Sequence, residues 1–382
     1  IGGALGGLFN GLLAPVIFND VYEYPLVIAA SVFLLVGLRH REHPPSPAPL
    51  PQRLFEAINI ALLPLVLLLA IGAMGPIAVV VVVGLLLGAR RVVAFVAARR
   101  PVAFVIGMSL VLATTIPFTG DALETERTFF GVARVEAEGD RHVLVHGTTI
   151  HGWQDRRPDH LLVPQSYYER SGPIGDVFAA YGAQPLADEV GLIGLGTGGL
   201  AAYGRAGQRL VFYEIDEAIV DIATDPGLFS FVSDTPAEVE IVVGDGRLAL
   251  GDAPADRYGM IIIDAFSSDA IPVHLLTSEA FELYRSKLAP GGLIVVHISN
   301  RHLDLKAVVA GIAQRQGLTA AVRTALLDPA LGSVTWAVLA ETSDTLAPLT
   351  SNPTWQPPAV EPGRELLWTD DFSDIVRVIK CC

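Results

Sequence analysis

The sequence predicts an open, doubly wound α/β domain behind a run of membrane helices. Three observations carry this reading. Residues 1–118 are almost free of charge, and the rest of the chain is acidic. From residue 189 onward, short apolar runs alternate with helical patterns, and each run ends in a glycine or acidic cluster.

The first 118 residues hold seven Arg and four acidic residues (Asp20, Glu23, Glu42, Glu56), a net of +3. The whole chain is −14, so residues 119–382 carry −17. That balance argues against nucleic acid as a partner, because phosphate binding needs a basic footprint. It suits a small cationic substrate. Apolar runs fall at 1–18, 24–38, 55–73, 75–88 and 101–117. A span takes roughly 20 apolar residues, and soluble domains do not string four or five such runs together. A multi-span membrane region over 1–118 is therefore expected, with its upstream helices missing because the chain opens at Ile1 inside an apolar stretch. No charge sits mid-span, which predicts an anchor and not an ion pathway. The basic loops at 39–53 and 90–100 belong on the cytoplasmic side. A single crossing by 101–117 would then put the acidic domain outside, whereas a nucleotide-type ligand belongs to the cytoplasm. The cytoplasmic placement at a multi-pass cell membrane is adopted. Cys381 and Cys382, the two cysteines, close the chain as an expected frayed tail and build neither a disulfide framework nor a zinc site.

A small β-hairpin subdomain and linker are expected over 119–186. Thr128–Glu136 and His142–His146 alternate in strand fashion around Glu138-Gly139-Asp140, residues 147–165 read as polar loop, and Ser166–Tyr181 as helix. The α/β domain proper spans 187–343, with a tail over 344–382. Its first strand, from Glu189, runs into Gly194-Leu-Gly196-Thr-Gly198-Gly199, and a helix follows from about Leu200. Glycines here let the backbone turn tightly and approach a ligand at a helix start, the Rossmann-like arrangement. The next strand, Arg209–Tyr213, ends in Glu214, twenty residues after Gly194, the spacing of a carboxylate that takes ribose hydroxyls. Val239–Val243 ends in Gly244-Asp245-Gly246, Tyr258–Ile263 in Asp264, and Gly292–His297 in a polar turn. Helices at 277–288 and 303–317 precede strands at 319–325 and 333–340, the last two an antiparallel edge pair.

Four carboxylates, Glu214, Asp245, Asp264 and Asp269, thus converge on one crevice at the carboxyl ends of the strands. Glu214 is expected to hold ribose, Asp245 to accept from an adenine amino group, and Gly194, Gly196, Gly198 and Gly246 to let the ligand approach. Asp264 ends the central strand. An amine is mostly protonated at neutral pH and cannot attack, so a carboxylate beside it serves as proton acceptor. Asp269 reads either as a grip on the far end of a cationic substrate or as a loop cap. The histidines lack metal-ligand spacing, so no metal is expected. His297, at a strand end beside the crevice, is the one expected to touch substrate.

With these motifs the chain resembles the spermidine synthase (polyamine aminopropyltransferase) superfamily, in particular its membrane-fused bacterial spermidine synthase-like proteins. The resemblance runs over roughly 125–343 and extends to Gly2–Asn10 and Glu23-Tyr-Pro25. It implies an S-adenosylmethionine-methyltransferase-type sheet with a small N-terminal β subdomain. It implies transfer of an aminopropyl group from decarboxylated S-adenosylmethionine, a co-substrate and not a resident cofactor, to an amine such as putrescine, and a possible homo-oligomer. By the same resemblance Asp264 is the catalytic acid, Asp269 the second acid and Gln154 a nucleoside contact. Tyr167-Tyr168-Glu169 stands for a Tyr-His-Glu segment, which makes Tyr167 the assisting tyrosine and Tyr168 a substrate contact. The chain departs from the family pattern at Thr197, where an aspartate is usual, at Tyr168 in the place of histidine, at Ala265-Phe266, which lengthen the acidic loop, and at His297 in the place of a glutamine. Two other readings stay open: an S-adenosylmethionine-dependent methyltransferase on the same scaffold, and a non-catalytic nucleoside-binding module tied to the membrane.

Overall fold

A computed structural model describes residues 2–18, 20, 21, 23, 122–147, 149–266, 272–329, 331–359 and 366–380. The chain divides into two compact units, 1–120 and 121–382.

In the first unit, α1 (Gly2–Leu8) and α2 (Ala14–Ile17) flank a π-turn at Phe9–Leu13. Among the described residues no helix is long and apolar enough to cross a membrane. The apolar runs expected at 24–38, 55–73, 75–88 and 101–117 lie outside the described residues, as do Cys381 and Cys382.

The second unit holds two sheets. The smaller is a four-stranded antiparallel meander, β1 (Ala122–Thr128), β2 (Gly131–Glu138), β3 (Arg141–His146) and β4 (Thr149–Asp155). It exceeds the expected hairpin at both ends. The first strand turns back at Phe129-Phe130, and residues 149–155 form β4 where the sequence reads as loop. Ala133, Val135 and Leu144 pack from one face onto Ile222, Leu228 and Phe229. That contact seats the meander beside the ligand-facing end of the larger sheet.

The larger sheet has the order β7-β6-β5-β8-β9-β11-β10, built from β5 (Glu189–Ile193), β6 (Arg209–Glu214), β7 (Glu238–Val243), β8 (Tyr258–Ile263), β9 (Leu288–His297), β10 (Thr319–Leu326) and β11 (Ser333–Ala340). Strands β5 to β9 are parallel, while β11 is antiparallel to both β9 and β10. This is the Rossmann-like order of methyltransferase-type sheets, with its switch point between β5 and β8. The central strands read as unbroken apolar runs because both faces are covered. On β8, Met260 and Ile262 face one core with Phe178, Tyr181 and Trp336, while Ile261 and Ile263 face the other with Phe281, Tyr284 and Ile312. All four β8 side chains are almost fully buried, each contributing on the order of 1.5–3 kcal/mol. The covering helices are α3 (Pro173–Tyr181) and α9 (Ser343–Thr350) on the first face, α7 (Ser278–Lys287) and α8 (Lys306–Gln316) on the second. Between β6 and β8 lie α4 (Glu217–Thr224), α5 (Phe231–Asp234) and α6 (Gly246–Gly251).

Three local expectations change. Ser166–Tyr181 divides into a 3-10 turn at Ser166–Tyr168 and the helix α3. The helix expected after the glycine loop is a five-residue 3-10 turn, Gly199–Tyr203. The supposed tail is part of the core: Trp355, Trp368 and Val378 are buried, and residues 378–380 pair with 302–304.

A close approach supports the centre of the fold. Any Cβ on Gly259, inside β8, would sit 1.4 Å from the backbone oxygen of Leu186. Gly259→Ala is therefore expected to lower the unfolding free energy by about 3 kcal/mol, read from urea denaturation. A loss below about 1 kcal/mol would mean that the Pro185–Ala187 turn moves aside freely.

Candidate active site

Five successive strand ends build one cavity of about 700 Å³, the size of pockets that enclose small ligands. Its walls come from the ends of β5 to β9, the meander, the 166–168 turn, the β10–β11 connection and Lys380, and all of them belong to the 121–382 unit.

The glycine loop follows β5. Gly194 has φ +99°, and a Cβ there would lie 2.4 Å from the Asp264 carbonyl oxygen. Only glycine lets the ends of β5 and β8 come this close while leaving the ligand side open. Gly194 and Gly196 line the cavity; Gly198, at φ +76°, precedes the 3-10 turn and does not. Thr197 is buried, and its Oγ1 has no hydrogen-bond partner among the described residues.

Glu214 ends β6. Its Oε2 accepts from the Leu195 amide at 2.9 Å and its Oε1 from the Asp216 amide at 3.1 Å. These bonds fix the carboxylate against the glycine loop, with its side chain on the cavity wall. Burial pushes the Glu214 carboxyl above its ordinary value of 4.5, and the amide hydrogen bonds partly offset that rise. Asp216 caps α4 through Ala218 and accepts from Thr128 Oγ1 at 2.7 Å, which pins the meander to this corner. Asp245 caps α6 through Leu248, and its other oxygen meets His274 Nε2 at 3.1 Å. Asp245, Gly246 and His274 all line the cavity. From the sequence His274 reads as a polar loop residue without metal-ligand spacing, and the fold brings it onto Asp245.

At the centre, Asp264 leaves the end of β8 with a side chain 6% exposed. Its Oδ2 accepts from the Tyr168 hydroxyl at 2.7 Å, and its Oδ1 faces His297 Nδ1 at 2.7 Å. Burial, and next the Asp264 charge, hold the Tyr168 phenol well above its ordinary value, so it stays protonated and donates. His297, at the end of β9, stacks on Trp336 with centroids 4.4 Å apart and planes 3° from parallel. Its Nε2 lies 2.7 Å from Ser299 Oγ, which in turn accepts from the Thr335 amide at 2.7 Å.

Two assignments need correction. The tyrosine on Asp264 is Tyr168. Tyr167 lines the cavity with its ring, but its hydroxyl donates to the Ile150 carbonyl at 2.7 Å. Gln154 is fully buried and does not line the cavity. Its Nε2 donates to Leu161 O and Ser230 Oγ, and its Oε1 accepts from Ser230 N and Arg156. Those four bonds use the whole amide to lock β4 to the segment before α5, so nothing remains for a nucleoside. Asp269 lies outside the described residues.

No family model matches the chain. A probable polyamine aminopropyl transferase from Bifidobacterium longum is 32% identical over 126 residues, 31% of this chain and 27% of that protein. The chain is similar to polyamine aminopropyltransferases. A second one, from Nitrosomonas europaea, is 26% identical over 149 residues, 38% of this chain and 45% of its own length. The matched stretches thus span less than half the length of these curated relatives. The crystal structure of a probable spermidine synthase from Corynebacterium glutamicum superposes with a TM-score of 0.46 at 21% identity, over 63% of this chain and 90% of that one.

The raised Glu214 value has a consequence for stability. Its folded pKa lies above its unfolded one, so its contribution is complete below about pH 4.5 and is lost as pH rises through the raised value. Glu214→Gln stays neutral throughout. The melting temperature of the ligand-free variant is expected to fall less than that of the parent between about pH 4 and pH 7. Parallel curves for the two proteins would mean that the carboxyl is fully compensated.

Proposed function

We propose that this chain is a spermidine synthase-like aminopropyltransferase, moving an aminopropyl group from decarboxylated S-adenosylmethionine to a polyamine or other amine. One observation carries the reading. Asp264 stands at the end of the central strand as a buried, hydrogen-bonded carboxylate on the same cavity as Glu214 and Asp245.

In this reading Glu214 accepts from the ribose hydroxyls and Asp245 faces the adenine side, with Gly194, Gly196 and Gly246 allowing close approach. Gly198 shapes the loop from behind. The amine lies between the donor carbon and the Asp264 centre, and Asp269 is a second acid for its far end. Reaction is an in-line displacement: the amine nitrogen bonds to the carbon next to the sulfonium, and the carbon–sulfur pair leaves with sulfur as methylthioadenosine. Sulfonium is already a good leaving group, so the protein supplies positioning and removal of the amine proton. The negative Asp264 centre favours that removal, and the Tyr168 hydroxyl and the His297 ring hold it in place.

The apolar segments before residue 119 make the chain a membrane-fused enzyme in this reading, with its catalytic unit on the cytoplasmic face and homo-oligomers as in the family it resembles. Working domains are 1–118, 119–186, 187–343 and 344–382, the last closing the catalytic unit.

The full chain, incubated with putrescine and each sulfonium donor in turn, is expected to release methylthioadenosine from the decarboxylated donor, identified by mass. S-adenosylhomocysteine from the intact donor would instead make it a methyltransferase, and neither product would make it a binding module. Asp264→Asn is expected to cut transfer at least about a hundredfold while nucleoside affinity stays within about threefold. Full activity in that variant would end the assignment of Asp264.

A further inference from the structure

We infer that the acceptor's proton leaves through Ser299 to the His297 ring, with Asp264 as the charge that stabilises the resulting imidazolium. This deepens the aminopropyltransferase reading and rests on it. The argument is an account of lone pairs. A carboxylate only accepts, so Asp264 Oδ1 at 2.7 Å requires the proton of neutral His297 to sit on Nδ1. Nε2 is then an acceptor, and its neighbour at 2.7 Å, Ser299 Oγ, must donate to it. The alternative donation from Ser299, to the Thr335 carbonyl, is 3.5 Å long and correspondingly weak. The Thr335 amide fills one Ser299 lone pair at 2.7 Å. One lone pair remains, on a side chain that lines the cavity.

That lone pair is the place for an amine N–H. As the nitrogen attacks the donor carbon, its proton passes to Ser299 Oγ while the serine's own proton passes to His297 Nε2. The C–S bond breaks with its electron pair on sulfur. The site ends with imidazolium beside carboxylate, and no further reactant is needed. Asp264 keeps a lone pair on each oxygen, but its side chain is only 6% exposed, so direct transfer to it is the weaker route. The other groups facing this assembly are Tyr167 and Tyr168 from the 166–168 turn, with Arg301 and Lys380 on the same cavity wall. The ring is held by Trp336 beneath it and Phe266 at its edge, 4.9 Å between centroids, so it keeps the orientation the relay needs.

Two variants of the full chain test this. His297→Gln keeps an N–H donor for Asp264 but has no basic nitrogen, and Ser299→Ala breaks the link. The relay predicts kcat lower by about a hundredfold or more in His297→Gln and at least about tenfold in Ser299→Ala. Acceptor KM is expected to stay within about threefold in His297→Gln, while Ser299→Ala, which removes the amine's hydrogen-bond acceptor, raises it as well. A His297→Gln enzyme within about threefold of the parent kcat would overturn it in favour of direct transfer to Asp264. A readout free of substrate runs beside these. Nitrogen-15 spectra of the histidine rings are expected to show His297 protonated on Nδ1, with Nε2 shifted when Ser299 becomes alanine. A proton on Nε2 of the neutral ring would overturn the relay whatever the assays give. A parent chain that makes no methylthioadenosine, yet shows the Nδ1 proton and the serine-dependent shift, would overturn the aminopropyl reading and the relay with it, leaving only the Asp264–His297–Ser299 hydrogen bonds standing.

Discussion

A carboxylate buried at the end of a central strand must be satisfied by hydrogen bonds or it unfolds its surroundings. Asp264 is that group here, and much of the architecture serves it. Its two partners come from separate parts of the chain, Tyr168 from the turn after the meander and His297 from β9. Each partner is itself held. Tyr203 donates to the Tyr168 carbonyl, and Trp336 of β11 lies flat against the His297 ring. The antiparallel strand inserted next to β9 thus supplies the floor of the site, and Gly194 closes the gap between β5 and β8 from the other side. A change in any of these elements reaches the carboxylate within two contacts.

The arrangement separates two kinds of chemistry along one sheet edge. Glu214 and Asp245 lie toward β6 and β7, where the sequence spacing suits a nucleoside. The Asp264–His297–Ser299 row lies toward β9, on the side given to the amine in the proposed reading. The open α/β sheet makes this division natural, because its switch point leaves a crevice between helices that depart to opposite faces.

Much of this was legible in the amino-acid sequence. Strands β5 to β9 stood out because both of their faces are buried and each apolar run stops at a polar cluster. The meander was harder. β1 carries charged residues at three of its seven positions, and β4 turns Gln154 inward, so neither alternates as an isolated hairpin strand would. Neighbouring tyrosines cannot be told apart by pattern; successive residues of the 3-10 turn point about 120° apart, which sends Tyr167 to Ile150 and Tyr168 to Asp264. Gln154 looked like a ligand contact, and only its surroundings reveal that its hydrogen-bonding capacity is spent. Trp355 and Trp368 sat in surroundings rich in proline that read as tail, although two large aromatic side chains were a signal that the segment packs.

The pairing of residues 378–380 with 302–304 bears on how the molecule is made. Lys380 Nζ donates to the Asn300 carbonyl at 2.6 Å, and Lys380 lies on the cavity wall. A ribosome emits the chain from its amino end, so β5 to β9 can pair before residues 378–380 have been made. The nascent sheet therefore passes through a stage with its core assembled and one flank of its crevice missing. Completion waits on contacts of long sequence separation, which form slowly.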